Sequence, residues 1–177
     1  FIGALMPFIF ASFAIRAVGK AAYQMVEEVR WQFKNIRGIM QGKAKPNYAR
    51  CVDISTKASL REMILPGMLP VASPLIIGFT LGAAAAGAFL MVATLSGFIV
   101  ALFMNNGGAA WDNAKKFIEA GNLGGKGSEP HKASVVGDTV GDPLKDTAGP
   151  SIHVLVKLLG TLSLTFGALF AQYALLG

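Results

Sequence analysis

Residues 63–111, MILPGMLPVASPLIIGFTLGAAAAGAFLMVATLSGFIVALFMNNGGAAW, run for 49 residues without a charged side chain. As one straight helix the stretch would be about 73 Å long at about 1.5 Å per residue, more than twice the ~30 Å hydrocarbon thickness of a bilayer. The chain must therefore turn back within it. Gly78 to Gly87 (GFTLGAAAAG) is the natural break. It predicts one transmembrane helix over 62–80 and another over 87–120, whose end beyond Trp111 is cytoplasmic. The alternative, buried core helices of a soluble protein, cannot accommodate so long an uncharged run.

Working outward, residues 1–15 (FIGALMPFIFASFAI) and 158–177 (LLGTLSLTFGALFAQYALLG) are likewise uncharged. They complete an expected set of four spans in an all-α integral-membrane chain. Only 15% of the residues are charged, against about 25% in a typical soluble domain, and 21 glycines suit closely packed membrane helices. The chain opens on Phe1 inside an apolar run, without a basic leader or cleavage site. It reads as a piece of a larger polytopic protein rather than as a signal peptide.

The net charge of +6 could suggest nucleic acid, but its distribution argues otherwise. All 16 Lys and Arg fall in two windows, Arg16–Arg61 and Lys115–Lys157. Basic blocks alternating with uncharged blocks are the membrane pattern, and the positive-inside rule puts both windows in the cytoplasm and both chain ends outside. Cys51 is the only cysteine and reads as an inert thiol on the reducing side. His131 and His153 lack partners at zinc-ligand spacing.

The basic windows divide further. Val18, Ala22, Met25, Val29, Phe33, Ile36 and Met40 recur at helical steps, predicting that the first transmembrane helix continues as a cytoplasmic amphipathic helix over 1–42. Residues 43–61 are expected to be a cytoplasmic loop, with Ser59 and Glu62 forming a capping box for the next span. A second cytoplasmic loop is expected over 121–137. Its GNLGGKGS stretch superficially resembles a P-loop but has Ala120 and Gly127 where that pattern needs Gly and Ser or Thr. The region 138–177 then joins a charged motif to the last transmembrane helix. Pro66, Pro70 and Pro74 recur every four residues and predict a bent second span.

Two motifs carry the chemistry. In Asn105–Glu119 (NNGGAAWDNAKKFIE), a helix places Asp112, Lys115 or Lys116, and Glu119 on one face. Spacing alone favours a salt-bridged helix end, although Gly107 to Ala110 would let another backbone or a ligand approach. In Gly137–Asp146 (GDTVGDPLKD), Asp138, Asp142 and Asp146 stand four apart. Like charges at that spacing destabilise a helix, so a divalent cation gives them a reason. Mg²⁺ prefers a few carboxylates plus substrate phosphate oxygens, and Lys145 offers a point charge to a phosphate. Pro143 could kink this helix and separate Asp138 from Asp146. Lys157 lies about 10 Å along the last helix at ~1.5 Å per residue, where a charge either snorkels or is paired.

NNGGAAWDNAKKFIEAG (105–121), KGSEPHKASVVGDTVGDPLKDTAGPS (126–151), VGKAAYQMVEEVRWQF (18–33) and CVDISTKASLREMI (51–64) together resemble the C-terminal region of the membrane-embedded, ion-pumping inorganic pyrophosphatases. The resemblance covers nearly the whole chain. It implies a subunit of about sixteen membrane helices, of which this chain supplies the last four, working as a homodimer in a prokaryotic plasma membrane or an acidic organelle membrane. The implied activity is hydrolysis of pyrophosphate at the cytoplasmic face, coupled to outward pumping of H⁺ or Na⁺, with Mg²⁺ and in some members K⁺ as cofactors.

The resemblance also implies roles. Asp112 and Asp142 match metal ligands, with Asp138 an accessory acid at the metal site. Lys115 and Lys145 match phosphate-binding lysines, and Lys116 stands beside them as a further substrate contact. Asp146 matches one of two aspartates that position the attacking water, and Lys157 a lysine of the ionic gate below. The upstream acidic motif of this family, of the DVGADLVGK type, is absent from these 177 residues, so the chain alone is expected to be inactive. The rival reading from another class is a secondary transporter of an anionic substrate without hydrolysis. A purely structural module, whose acidic cluster only ties helices together, is the blander one.

Overall fold

A computed structural model describes residues 1–176. It is helical throughout, with no strand among the described residues. The helices are α1 (Ile2–Asn35), α2 (Tyr48–Glu62), α3 (Ile64–Glu119), α4 (Glu129–Pro143) and α5 (Gly149–Tyr173). A 3₁₀ turn at Asn122–Gly124 separates α3 from α4, and a π-helical turn at Leu144–Ala148 joins α4 to α5 without a loop. Three helical runs, Ile2–Asn35, Tyr48–Glu119 and Glu129–Tyr173, are long and apolar enough to cross a membrane.

The uncharged stretch does turn back, inside the expected window. Gly82 has φ 86° and ψ 176°, a backbone that a side chain would strain, and it divides α3 into two arms. Pro66 and Pro70 on the first arm border a cavity with Ser151, Leu155 and Leu158 of α5. Gly97 on the second arm packs against Ile152 and Val156 of the same helix. Two positions about thirty residues apart can share one stretch of α5 only if the arms fold back on each other. The carbonyls of Phe79 and Thr80, at the end of the first arm, accept from the backbone N–H groups of Leu175 and Leu176 at 2.9 and 3.0 Å. A helix break frees carbonyls that would otherwise be bonded within the helix, and these two find partners in the chain's last residues.

Small residues rather than large ones set the packing. Ala93 and Ala148 are fully buried beside Leu159, and Ala11 and Ala101 nearly so. A Cβ on Gly3 would stand 2.6 Å from the carbonyl oxygen of Phe89, and one on Gly97 3.0 Å from Val156. Among lipid tails, helix association rests on close van der Waals contact, which glycine and alanine permit. Near the reversal, Gly78 lies flat against the ring of Phe170, which meets Phe79 edge-on at 5.0 Å.

Four expectations are corrected. α1 stops at Asn35, not near Gly42: Ile36 is extended, and the chain turns through left-handed Gly38 and Gly42. Residues 43–61 are mostly helix, because the Asn47 side chain accepts from the Arg50 N–H and starts α2. Residues 121–137 are likewise only half loop, since Ser128 caps α4 by accepting from His131 N–H. The Ser59–Glu62 box does not form either. Ser59 lies inside α2, its carbonyl accepts from Met63, and α3 begins without a side-chain cap.

Candidate active site

The site begins with a helix crossing. Gly108 on α3 meets Gly141 on α4 so closely that a Cβ on Gly108 would stand 2.5 Å from the Gly141 carbonyl oxygen. Trp111, one turn along, lies over Gly137 and Gly141, with room for no side chain at either. The small residues noted in the sequence thus include one true contact, Gly108, and one that meets nothing, Gly107. Gly137, Gly141 and Trp111 had no role in the sequence reading, although Gly137 and Gly141 themselves stand at G-x-x-x-G spacing.

Immediately past this crossing, four aspartates and three lysines form one network. Lys115 donates to Asp138 across the α3–α4 interface and lies 3.9 Å from Asp112. Lys116 donates to the other oxygen of Asp112 at 2.9 Å. Lys145, in the π turn, reaches three carboxylates: Asp146 at 2.6 Å, Asp142 at 3.0 Å and Asp112 at 3.4 Å. All seven expected site residues other than Lys157 are therefore brought together. The three-aspartate face is not. Asp138 turns under α3, whereas Asp142 and Asp146 stay largely exposed around Lys145. Pro143 ends α4, and the helix continues through the π turn instead of kinking away.

These groups lie beyond the uncharged spans, at one end of the helices. Lys116 hydrogen-bonded to Asp112 holds that carboxyl below the usual aspartate range. Asp138 raises the Lys115 ammonium, and Asp146 with Asp142 raises Lys145 well above an ordinary lysine. Lys115 and Lys145 are thus held in the charged form. Four carboxylates against three ammonium groups give a formal balance of one negative charge.

The donors fit Mg²⁺ in chemistry, being hard carboxylate oxygens, and in number only if others join them. No three acidic or His/Cys side chains form a metal cage among the described residues. Asp112 and Asp142 share Lys145 as a partner, at 3.4 and 3.0 Å. One or two carboxylates completed by water and phosphate oxygens is the usual magnesium arrangement.

Further along α3 and α4 the same antiparallel ladder closes with Glu119 and His131, 3.1 Å apart, and Gly127 N–H donates to the other imidazole nitrogen at 3.2 Å. The Glu119 carboxyl is held below its ordinary value by that imidazole. Lys157 lies apart from the network. It is exposed on α5, away from buried Leu155 and Leu159, and has no ion-pair partner among the described residues. At the α1–α2 joint a polar knot escaped sequence reading. Buried Glu28 pairs with Arg50 at 2.9 Å and accepts from buried Gln32, which also clasps the Asn47 backbone. Only the one-turn spacing of Glu28 and Gln32 hinted at it.

A family model described as inorganic H⁺ pyrophosphatase matches residues 1–166. A K⁺-insensitive pyrophosphate-energized proton pump of Caldanaerobacter subterraneus subsp. tengcongensis is 65% identical over 96% of this chain, which covers 24% of that relative. A protein of Clostridium tetani whose name places it among K⁺-stimulated pyrophosphate-energized sodium pumps is 58% identical over 98% of the chain and 26% of its own length. Pyrophosphate-energized membrane proton pump 3 of Arabidopsis thaliana is 52% identical over 96% of the chain and 23% of its own length. The chain spans about a quarter of the length of these relatives. With the match running through both charged motifs, the chain belongs to the inorganic H⁺ pyrophosphatase family.

Proposed function

We propose that the chain is the C-terminal part of a membrane pyrophosphatase that hydrolyses magnesium pyrophosphate and pumps H⁺ or Na⁺ outward. The observation that carries the reading is the network of Asp112, Lys115, Lys116, Asp138, Asp142, Lys145 and Asp146 at one end of apolar helices. The printed names of the relatives include both proton and sodium pumps, and K⁺-insensitive and K⁺-stimulated ones. Both ions therefore stand as candidate cargo, with K⁺ as a candidate cofactor.

The topology that suits this function has four crossings, the reversal at Gly82 separating the second from the third. Both basic windows, and with them the active site, face the cytoplasm. The full subunit has about sixteen such helices and acts as a homodimer. This chain by itself is inactive, lacking the upstream carboxylates.

In the mechanism, Asp112 and Asp142 would hold Mg²⁺, which supplies neutralising charge to the diphosphate when bound. Lys115, Lys116 and Lys145 bind phosphate oxygens and stabilise negative charge as it develops on the leaving phosphate. Asp146, with an upstream carboxylate, orients a water and accepts its proton as the oxygen attacks phosphorus in line. One P–O bond of the bridge breaks and two phosphates leave. Because the π turn and α5 form one rod, a shift at Asp146 passes directly to Lys157, eleven residues on and roughly 16 Å away at ~1.5 Å per residue.

The test is magnesium-dependent phosphate release from pyrophosphate by vesicles holding the full-length parent, with ion uptake followed alongside. Release and uptake that both vanish in Asp142→Ala support the reading. A folded parent that releases no phosphate yet moves an anion would replace it with the transporter.

A further inference from the structure

We infer that Asp138, expected among the metal donors, is instead a positioning residue that fixes Lys115; this rests on the pyrophosphatase reading above. Only 6% of Asp138 is exposed, whereas Asp142, one turn later, is half exposed. One oxygen of Asp138 is taken by Lys115. The other has neither accessible surface nor hydrogen-bond partner. A magnesium ligand must admit a cation at about 2.0–2.1 Å together with its near-octahedral shell of waters and phosphates. Asp138 has no open direction for that, and further helices of the parent can only cover it more.

What Asp138 does have is a fixed seat. It projects from the tight Gly108–Gly141 and Trp111–Gly137 crossing, so its carboxylate is held by the two helices themselves. Lysine, by contrast, carries its charge on a flexible four-carbon stem with three rotatable donors. Anchoring one donor of Lys115 on Asp138 keeps its ammonium 3.9 Å from Asp112, the carboxylate that Lys145 also approaches, at 3.4 Å. Asp138 thereby sets where a phosphate oxygen finds its charge without touching substrate or metal.

The test uses the full-length parent with Asp138→Asn, Lys115→Ala and the two combined. Two readouts are taken: the KM for magnesium pyrophosphate, and the Mg²⁺ concentration giving half-protection against proteolysis with no substrate present. Asp138→Asn is expected to raise KM about tenfold, the combined variant to behave like Lys115→Ala alone, and the Mg²⁺ midpoint to stay within about twofold. A Mg²⁺ midpoint raised about tenfold, or effects that multiply, would overturn the inference. Should Asp138→Asn fail to fold, Lys115→Met combined with Asp138→Leu removes both charges and leaves no orphaned partner. That variant must keep the parent's Mg²⁺ midpoint, and a lost midpoint makes Asp138 a ligand. Failure of the broader reading would look different, as an unsubstituted parent without phosphate release.

Discussion

Gly108 and Gly141 touch where α3 crosses α4, each placed so that a Cβ would lie 2.5–3.0 Å from the other's carbonyl oxygen. The contact stands one turn before Asp112 and one before Lys145, so it sets the distance across which Lys145 reaches Asp112. Gly108→Ala in the full-length parent must push the helices apart. Overpacking of this kind costs about 1–3 kcal/mol, and here it lengthens the ion pairs between the two helices first. The expected outcome is a folded pump with hydrolysis reduced at least about tenfold, a 1.4 kcal/mol effect. Gly107→Ala meets no neighbour in this chain and serves as the control, expected to retain activity.

Lys145 holds three carboxylates, and of these Asp146 is both the nearest and the most exposed. Asp146→Asn keeps the shape and a hydrogen bond to water but removes the proton acceptor. Loss of a general base typically lowers rate by about 10²–10⁴, so kcat should fall within that range with KM little changed. Near-normal turnover would remove the water-positioning role. Lys145→Arg keeps the charge, yet a rigid planar fork cannot satisfy three separately placed carboxylates as a compact ammonium does. It is expected to raise KM, measured on the same vesicles.

The fold was legible wherever local pattern carried it. Uncharged length forced the reversal, and Gly82 supplied it inside the expected glycine-rich window. The charged segments between the apolar helices were less legible, because one capping residue decides each. Asn47 starts α2 and Ser128 starts α4, while the apparent box at Ser59 falls within the last turn of α2. Within the site, spacing found the acidic residues but grouped them wrongly. Asp138 and Asp142 are separated by one turn yet serve different lysines, because Lys115 comes from another helix 23 residues back. Such pairings depend on the angle between helices, and that angle rests on Gly137 and Gly141, whose role shows only when Trp111 is seen lying on them.

The Glu119–His131 rung makes a pH-dependent prediction. The folded state holds the Glu119 carboxyl below its ordinary value, so its contribution is present above the unfolded pKa of about 4.3 and is lost as pH falls through the lower folded value. Glu119→Gln should therefore lower the Tm of the parent at pH 7. The gap to the unsubstituted protein should close as pH drops below about 4, measured by thermal unfolding. Lys145 behaves oppositely in sign. Its pKa is raised, so its contribution persists at all pH values below about 10 and explains no alkaline loss of activity in the neutral range.

On the proposed function, substitution of Lys157 should separate hydrolysis from pumping. It has no ion-pair partner among the described residues and points away from Leu155 and Leu159, the buried face of α5. A lysine in an otherwise uncharged helix is retained at membrane depth only where something outside this chain, such as an upstream carboxylate or a water-filled path, accommodates it. The charged network contains no contact to Lys157, so Lys157→Ala in the parent should leave magnesium-dependent phosphate release within about twofold while abolishing ion uptake into the vesicles. The neighbouring change Val156→Ala, which loosens packing against Gly97 without touching a charge, should lower stability but leave the ratio of ions moved to phosphate released intact. Tightly coupled pumping in Lys157→Ala would remove the residue from the gate. It would leave the exposed face of α5 as ordinary contact surface for another helix.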